Sequence, residues 1–377
     1  MNNNDFAYWI TVSQLPRWKT KRINDLIIKI IHEKKLSWTD FFSLEKSDYK
    51  HDFDLNDNET DDLLNAKKEI PNNSFFAESL IAQGYELITI NSPDYSKTLK
   101  ENLKKSSPPL LYVKGNKKLL NEDSIAVVGS RDASDIALKF TDNIAKIFSN
   151  QYKVIISGFA KGVDKQALDS AIKYIGHSII VLPQGILTFN SGFRKYYTQI
   201  VDGNVLVLSI FHPKAVWNVS LAMARNPIIY GLAKNIYVAQ SNNNGGTWAG
   251  VNDGLRKNRI IYVRYPDVDE KCANNLLIEK GAIPVDFNGE MLEQRSAAKD
   301  NESEHTEIDN INRERILEIL KFDELTPKQI IDKLKLDIHP KELDILLQKD
   351  EDFEVACKRP YKYRAKTQIA LNLSFAQ

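Results

Sequence analysis

The chain of 377 residues holds only two cysteines, Cys272 and Cys357, and neither has a neighbour at metal-ligand spacing. That excludes a disulfide scaffold and a cysteine-type zinc site, and it fits a reducing cytoplasm. No apolar run is long enough to cross a bilayer, so no membrane contact is expected. Met1 to Val12 carry Asp5 and no basic cluster ahead of an apolar stretch, so no secretory leader is expected either. Charge of one sign is also lacking: 51 basic residues stand against 50 acidic ones, a net charge of +1. Any polyanion would therefore have to be met by local clusters of Lys and Arg. Histidine is scarce, with six scattered residues and no Ser/His/Asp set; His212, beside Pro213, is the one worth testing. A Walker-type glycine–lysine loop is missing, which leaves ATP hydrolysis unsupported.

What is present is 42% hydrophobic residues, enough for real cores, in a chain long enough for two or three domains. Ile23, Leu26, Ile27, Ile30 and Ile31 recur at helical spacing, so residues 1–84 are expected to form a helical domain. Within it, the acidic, Asn-rich stretch from Asp52 to Asp62 is expected to be a loop. Residues 85–120 are expected as a connector that ends in the short strand Leu110 to Val113. From Ser124 onward, apolar runs alternate with amphipathic stretches. Ile125–Val128, Val154–Ile156, Ser178–Leu182, Val205–Leu208, Asn235–Ala239 and Arg259–Val263 read as buried parallel strands, with helical patterns at Ile136–Phe148 and Val163–Tyr174. The expected fold class is α/β, a Rossmann-like doubly wound parallel sheet over residues 85–287. A polar linker is expected at 288–307, a winged-helix-like module at 308–366 and a tail at 367–377. Thr326-Pro327 is expected to open a helix of that module, and Phe353–Tyr363 to form its wing.

Three glycine-bearing junctions follow expected strands: Gly129-Ser130-Arg131, then Ser157-Gly158-Phe159-Ala160-Lys161-Gly162, then Asn244-Gly245-Gly246-Thr247. Glycines let backbone amides approach an anion, and a following helix adds its unpaired N–H groups. Ligands of open parallel sheets gather outside the carboxyl ends of the strands, so Arg131 and Lys161 would supply charge there. Arg225 and Asn226 lie on a fourth segment that enters the strand at Asn235. Phe159 and Trp248 could stack on bases, with packing the plainer expectation for Trp248. Other basic clusters, at Lys114/Lys117/Lys118, Arg194/Lys195, Arg256/Lys257/Arg259 and Lys358/Arg359/Lys362/Arg364/Lys366, read first as solvated faces.

The order Gly-Ser-Arg, Ser-Gly-x-Ala-Lys-Gly-x-Asp and Arg-Asn-x-Ile-Ile-x-Gly-Leu resembles the DNA-processing protein A family, also called DprA or Smf. The turn Ser92-Pro93-Asp94-Tyr95, the segment from Pro108 to Asn116 and the segment from Asn275 to Ala282 strengthen the resemblance. It implies a SAM-like helical domain, an extended Rossmann fold and a winged-helix tail. It also implies single-stranded DNA as ligand, a homodimer, and delivery of the strand to a RecA-type recombinase in transformation, recombination or phage defence. On matching positions, the DNA site would comprise Gly129, Ser130, Arg131, Ser157, Gly158, Phe159, Lys161, Gly162, Arg225, Asn226, Gly245, Gly246 and Thr247. Asp164 would act as a structural cap. No cofactor, metal or catalytic residue is implied. The chain departs from the pattern at Ile210, Pro227 and Gln240, where relatives carry Glu, Arg and Glu. The alternative is a nucleotide-binding or nucleotide-processing protein. A glycosidase-type enzyme would need a carboxylate beside the glycine loop, where this chain offers Gln240.

Overall fold

The computed structural model describes residues 5–292, 315–321, 323–336, 340, 343, 347, 353–358 and 361–365. It divides into two compact units, 1–292 and 293–377. The expected linker lies outside the described residues from 293 onward, as do Arg359, Lys366 and the expected tail.

The first unit is built on a nine-stranded sheet of order β1-β2-β6-β5-β4-β3-β7-β8-β9. The strands are β1 (Glu86–Thr89), β2 (Leu110–Gly115), β3 (Ser124–Val128), β4 (Val154–Ser157), β5 (Ser178–Val181), β6 (Val205–Ser209), β7 (Asn235–Val238), β8 (Ile261–Arg264) and β9 (Ile283–Val285). Strands β3 to β9 run parallel, whereas β2 joins β6, and β1 joins β2, antiparallel. The expected connector is thus an antiparallel extension of the sheet. Strand order reverses between β3 and β7, and such a switch point leaves a crevice at the carboxyl ends of the strands.

Side chains alternate across the pleat. Ala126, Val128, Ile156, Ile179, Ile236 and Val238 share one core with residues of the helix Val219–Leu232. Ile125, Val127, Ile155 and Tyr237 meet the helices Asp135–Asn150 and Val163–Lys173 on the opposite face. The N-terminal helices pack Trp9, Ile27, Phe41 and Leu63 into a cluster that also contains Tyr112, Ile180, Val205 and Val207 of the sheet. Residues on both sides of position 84 therefore bury a common apolar surface.

The stretch Asp52–Asp62 is not a loop throughout. A helix spans Asp57–Lys67 and opens on a capping box between Asn56 and Glu59, which satisfies two orphan amides reciprocally. In the second unit, a helix covers 315–320, and Pro327–Leu334 forms another with Thr326 as its N-cap. Strands β10 (Phe353–Lys358) and β11 (Tyr361–Ala365) pair antiparallel. Ile316, Leu320, Ile330, Leu343, Leu347, Phe353 and Tyr363 form the core of this unit. The sequence pattern also places Leu343, Leu346 and Leu347 on a third helix of this module, of which Leu346 lies outside the described residues. No helix among the described residues is long and apolar enough to cross a membrane.

Candidate functional site

The loops after β3, β4 and β7 are locked together by close backbone approach. A Cβ on Gly162, whose φ is +84°, would overlap the carbonyl oxygens of Ser130 and Arg131, so glycine is required there twice over. The Ser130 amide donates to the Gln240 carbonyl at 2.8 Å, and the Val163 amide donates to the Ser130 carbonyl at 3.3 Å. Gln240 is buried, and its side-chain oxygen accepts from the Ser134 amide at 2.8 Å. The neutral amide of Gln240 therefore braces the loop that carries Arg131.

Around these loops lie two adjoining cavities. The first, about 380 Å³, is lined by Gly129, Ser130, Arg131, Asp164, Arg225, Asn226, Gly245, Gly246 and Thr247 among others. The second, about 310 Å³, is lined by Arg131, Phe159, Lys161, Arg225, Leu182 and Trp217 among others. Arg131, Ala160, Ala222 and Arg225 line both, so the two form neighbouring stretches of a groove along the sheet's carboxyl edge. Trp217 was not singled out from the sequence, which carries no signal that a tryptophan on the segment between β6 and the next helix will face a cavity.

Arg225 sits within the helix Val219–Leu232, only 4% exposed, two residues before Pro227. Its Nη1 lies 3.8 Å from Asp164 Oδ2, and its Nε has no hydrogen-bond partner among the described residues. Burial lowers the Arg225 pKa; the Asp164 charge opposes this and Arg131 reinforces it. Burial likewise pushes the Asp164 carboxyl up, against the pull of Arg225 and of the Ala160 and Gly158 backbone amides. Asp164 is thus not the helix cap expected from the sequence. The N-cap of Val163–Lys173 is Gly162, and Asp164 in the first turn holds both the β4 loop and Arg225. It is also a carboxylate at the cavity that sequence order did not reveal, with its oxygens already engaged.

The two helix N-termini differ. At Val163 the opening amides are used internally, with Lys165 donating to the Ala160 carbonyl at 3.0 Å. At Gly245–Arg256 the N-cap Asn244 makes no side-chain hydrogen bond to the first turn, and Gly245, Gly246 and Thr247 line the first cavity. The Asn226 side-chain amide donates to the Gly246 carbonyl at 3.3 Å and ties this turn to the arginine helix. The anion-binding potential of a helix start therefore belongs to the Gly245 turn.

Arg131 is exposed, and Lys161 has an 83% exposed side chain whose ion pair with Asp132 is loose, at 3.6 Å. Ser157 is buried, its hydroxyl donating to the Val127 carbonyl at 2.8 Å, so it supports the loop from below. Phe159 meets Phe189 and Tyr196 edge-on at 4.9 and 5.8 Å, half-buried at the wall of the second cavity. Trp248 packs on the sheet core under Lys280, outside both cavities. His212 stacks on Phe76 at 5.6 Å, away from the groove. The other basic clusters are largely engaged elsewhere. Lys117 pairs with Glu86 and Asp94, Lys195 with Asp169, and Arg256 and Lys257 with Asp253.

A sequence model of DNA recombination-mediator protein A matches residues 86–296. The chain belongs to that family. It is 31% identical over 188 residues to the DNA processing protein DprA of Streptococcus pneumoniae, covering 49% of this chain and 66% of that one. It is 28% identical over 228 residues to the protein Smf of Synechocystis, covering 58% and 56% of the two chains. The chain thus spans under two thirds of the length of these relatives. The X-ray structure of DprA from Streptococcus pneumoniae shares the fold, with a TM-score of 0.62 at 23% identity, covering 76% of this chain and 95% of that one. Of the positions expected to depart from the family pattern, Ile210 packs on the sheet core and Pro227 lies inside the arginine helix.

Proposed function

We propose that this protein binds single-stranded DNA along the groove and acts as a recombination mediator, delivering the strand to a RecA-type recombinase. The observation that carries this reading is the under-satisfied Arg225. A nearly buried guanidinium with one distant carboxylate and an unpartnered Nε gains hydrogen bonds when an anion enters the cavity. Arg131 and Lys161 supply exposed charge beside it, and the Gly245 turn supplies amides. Together they hold successive phosphates, while bases are left to aromatic and apolar contacts.

In the same proposal the protein works in the cytoplasm as a homodimer, with the helical domain at 1–84 and the winged-helix-like module at 308–366 as accessory parts. Its partner decides whether the task is DNA uptake and transformation, general recombination or phage defence. A nucleotide-binding role is the second reading. It is favoured by a cavity of about 380 Å³ at the switch point, a size and place suited to a single nucleotide. Fluorescence anisotropy of a labelled oligothymidine, with duplex DNA and mononucleotides as competitors, separates the two. Tight strand binding that mononucleotides do not displace supports the mediator; binding of the mononucleotide alone supports the second reading.

A further inference from the structure

Three large apolar side chains that line the two cavities stand exposed, and Val216 precedes them in the chain. Val216, Trp217, Val219 and Met223 are 74%, 45%, 66% and 42% exposed. Trp217 lines the second cavity, and Val219 and Met223 line the first. They follow one another on the segment after β6 and on the opening turns of the arginine helix. Folding alone gains nothing from such an arrangement, and a clustered apolar patch beside a charged groove marks a contact surface.

Its neighbours define the occupant. Arg131 lines both cavities, and Lys161 lines the second. A ligand that fits must therefore present anionic groups beside flat apolar faces. Single-stranded nucleic acid does this, because its bases are free of a partner strand. Duplex DNA keeps its bases stacked inside.

We propose that Trp217 is the platform on which a base of the bound strand stacks, with Val216, Val219 and Met223 completing an apolar ramp between the two phosphate-holding cavities. This rests on the single-strand reading and deepens it by assigning the base contact. Every base has a π-face, so the contact tolerates any sequence. Phe159, the aromatic residue of the glycine loop, already packs its ring on Phe189 and Tyr196, whereas half of Trp217 is open.

The test uses full-length protein and two labelled strands of equal length, an oligothymidine and an abasic strand with the same phosphates. Trp217→Ala should weaken oligothymidine binding roughly tenfold, the usual scale for removing one base–aromatic stack. It should leave abasic-strand binding as in wild type, and Trp217→Phe should restore most of the loss. Circular dichroism checks that both variants fold. Equal loss on both strands, or no loss on either, overturns the platform while leaving the groove intact. A wild-type protein that binds neither strand overturns the groove and the platform together. A change of oligomeric state in Trp217→Ala, seen by sedimentation with strand affinity unchanged, makes the ramp a self-interface and also overturns the proposal.

Discussion

The guanidinium of Arg225 occupies the space where a side chain at Gly158 would begin: a Cβ built on the glycine overlaps Nη1, Cζ and Nη2. The β4 loop and the arginine helix are therefore fitted to each other, and the glycine of the Ser-Gly-x-Ala-Lys-Gly pattern serves to admit a cation. Gly158→Ala should destabilise the fold by about 1–3 kcal/mol, the usual cost of overpacking a close contact. Chemical denaturation reads this directly. A wild-type midpoint would mean that Arg225 can move aside freely.

Arg225 and Asp164 form a buried pair in which each charge offsets the burial of the other. Removing one partner leaves the other uncompensated, at a cost of about 3–5 kcal/mol. Arg225→Met and Asp164→Asn should each be strongly destabilising, and the double variant less so than their sum. A double-mutant cycle measures the coupling, expected at about 0.5–3 kcal/mol. Strict additivity would show that the two charges do not interact.

Acid should weaken the N-terminal helices through Glu59. Its carboxylate receives Arg22 Nε and Nη2 at 2.8 Å each, and this bonding holds its pKa below the ordinary 4.5. The folded state thus binds this proton less readily than the unfolded state. The stabilisation is fully present above about pH 4.5 and disappears as pH falls through the folded value. Glu59→Gln should cost about 1 kcal/mol at pH 7, a modest figure because the pair is partly exposed to solvent. The difference from wild type should shrink in acid. Melting curves from pH 7 down to pH 3 test the sign, and a gap that widens toward acid would refute it.

The Gly245 turn depends on Asn226. Asn226→Ala removes the 3.3 Å bond to the Gly246 carbonyl while leaving the buried Arg225 in place. We expect strand affinity to fall several-fold, with stability lowered by about 1 kcal/mol, the net worth of one hydrogen bond. Anisotropy together with thermal melting separates the two effects. An unchanged affinity would remove the turn from the binding surface.

Much of this was legible in the sequence. The parallel strands announced themselves because a strand buried on both faces is a continuous apolar run, as at Ile125–Val128 and Val205–Leu208. The glycine junctions were visible because steric demand leaves few substitutes. Short edge strands were not: β1 has four residues and β9 three, with Pro284 in its middle, too little for a periodic signal. The helix Asp57–Lys67 was masked by its acidic composition, although Asn56 and Glu59 carry the spacing of a capping box. That Arg225 is buried was not legible, because only the tertiary packing against Gly158 and Asp164 buries it. The exposure of Trp217 is equally a product of tertiary placement.

The most direct test of the groove is the double variant Arg131→Glu/Lys161→Glu, compared with wild type on a labelled oligothymidine across a salt series. Both side chains are exposed, so the fold should survive, and circular dichroism verifies it. The groove predicts affinity weaker by about tenfold or more and a shallower salt dependence, the slope falling by about 0.7 for each phosphate that the variant no longer neutralises. A folded double variant with wild-type affinity and wild-type slope would contradict it.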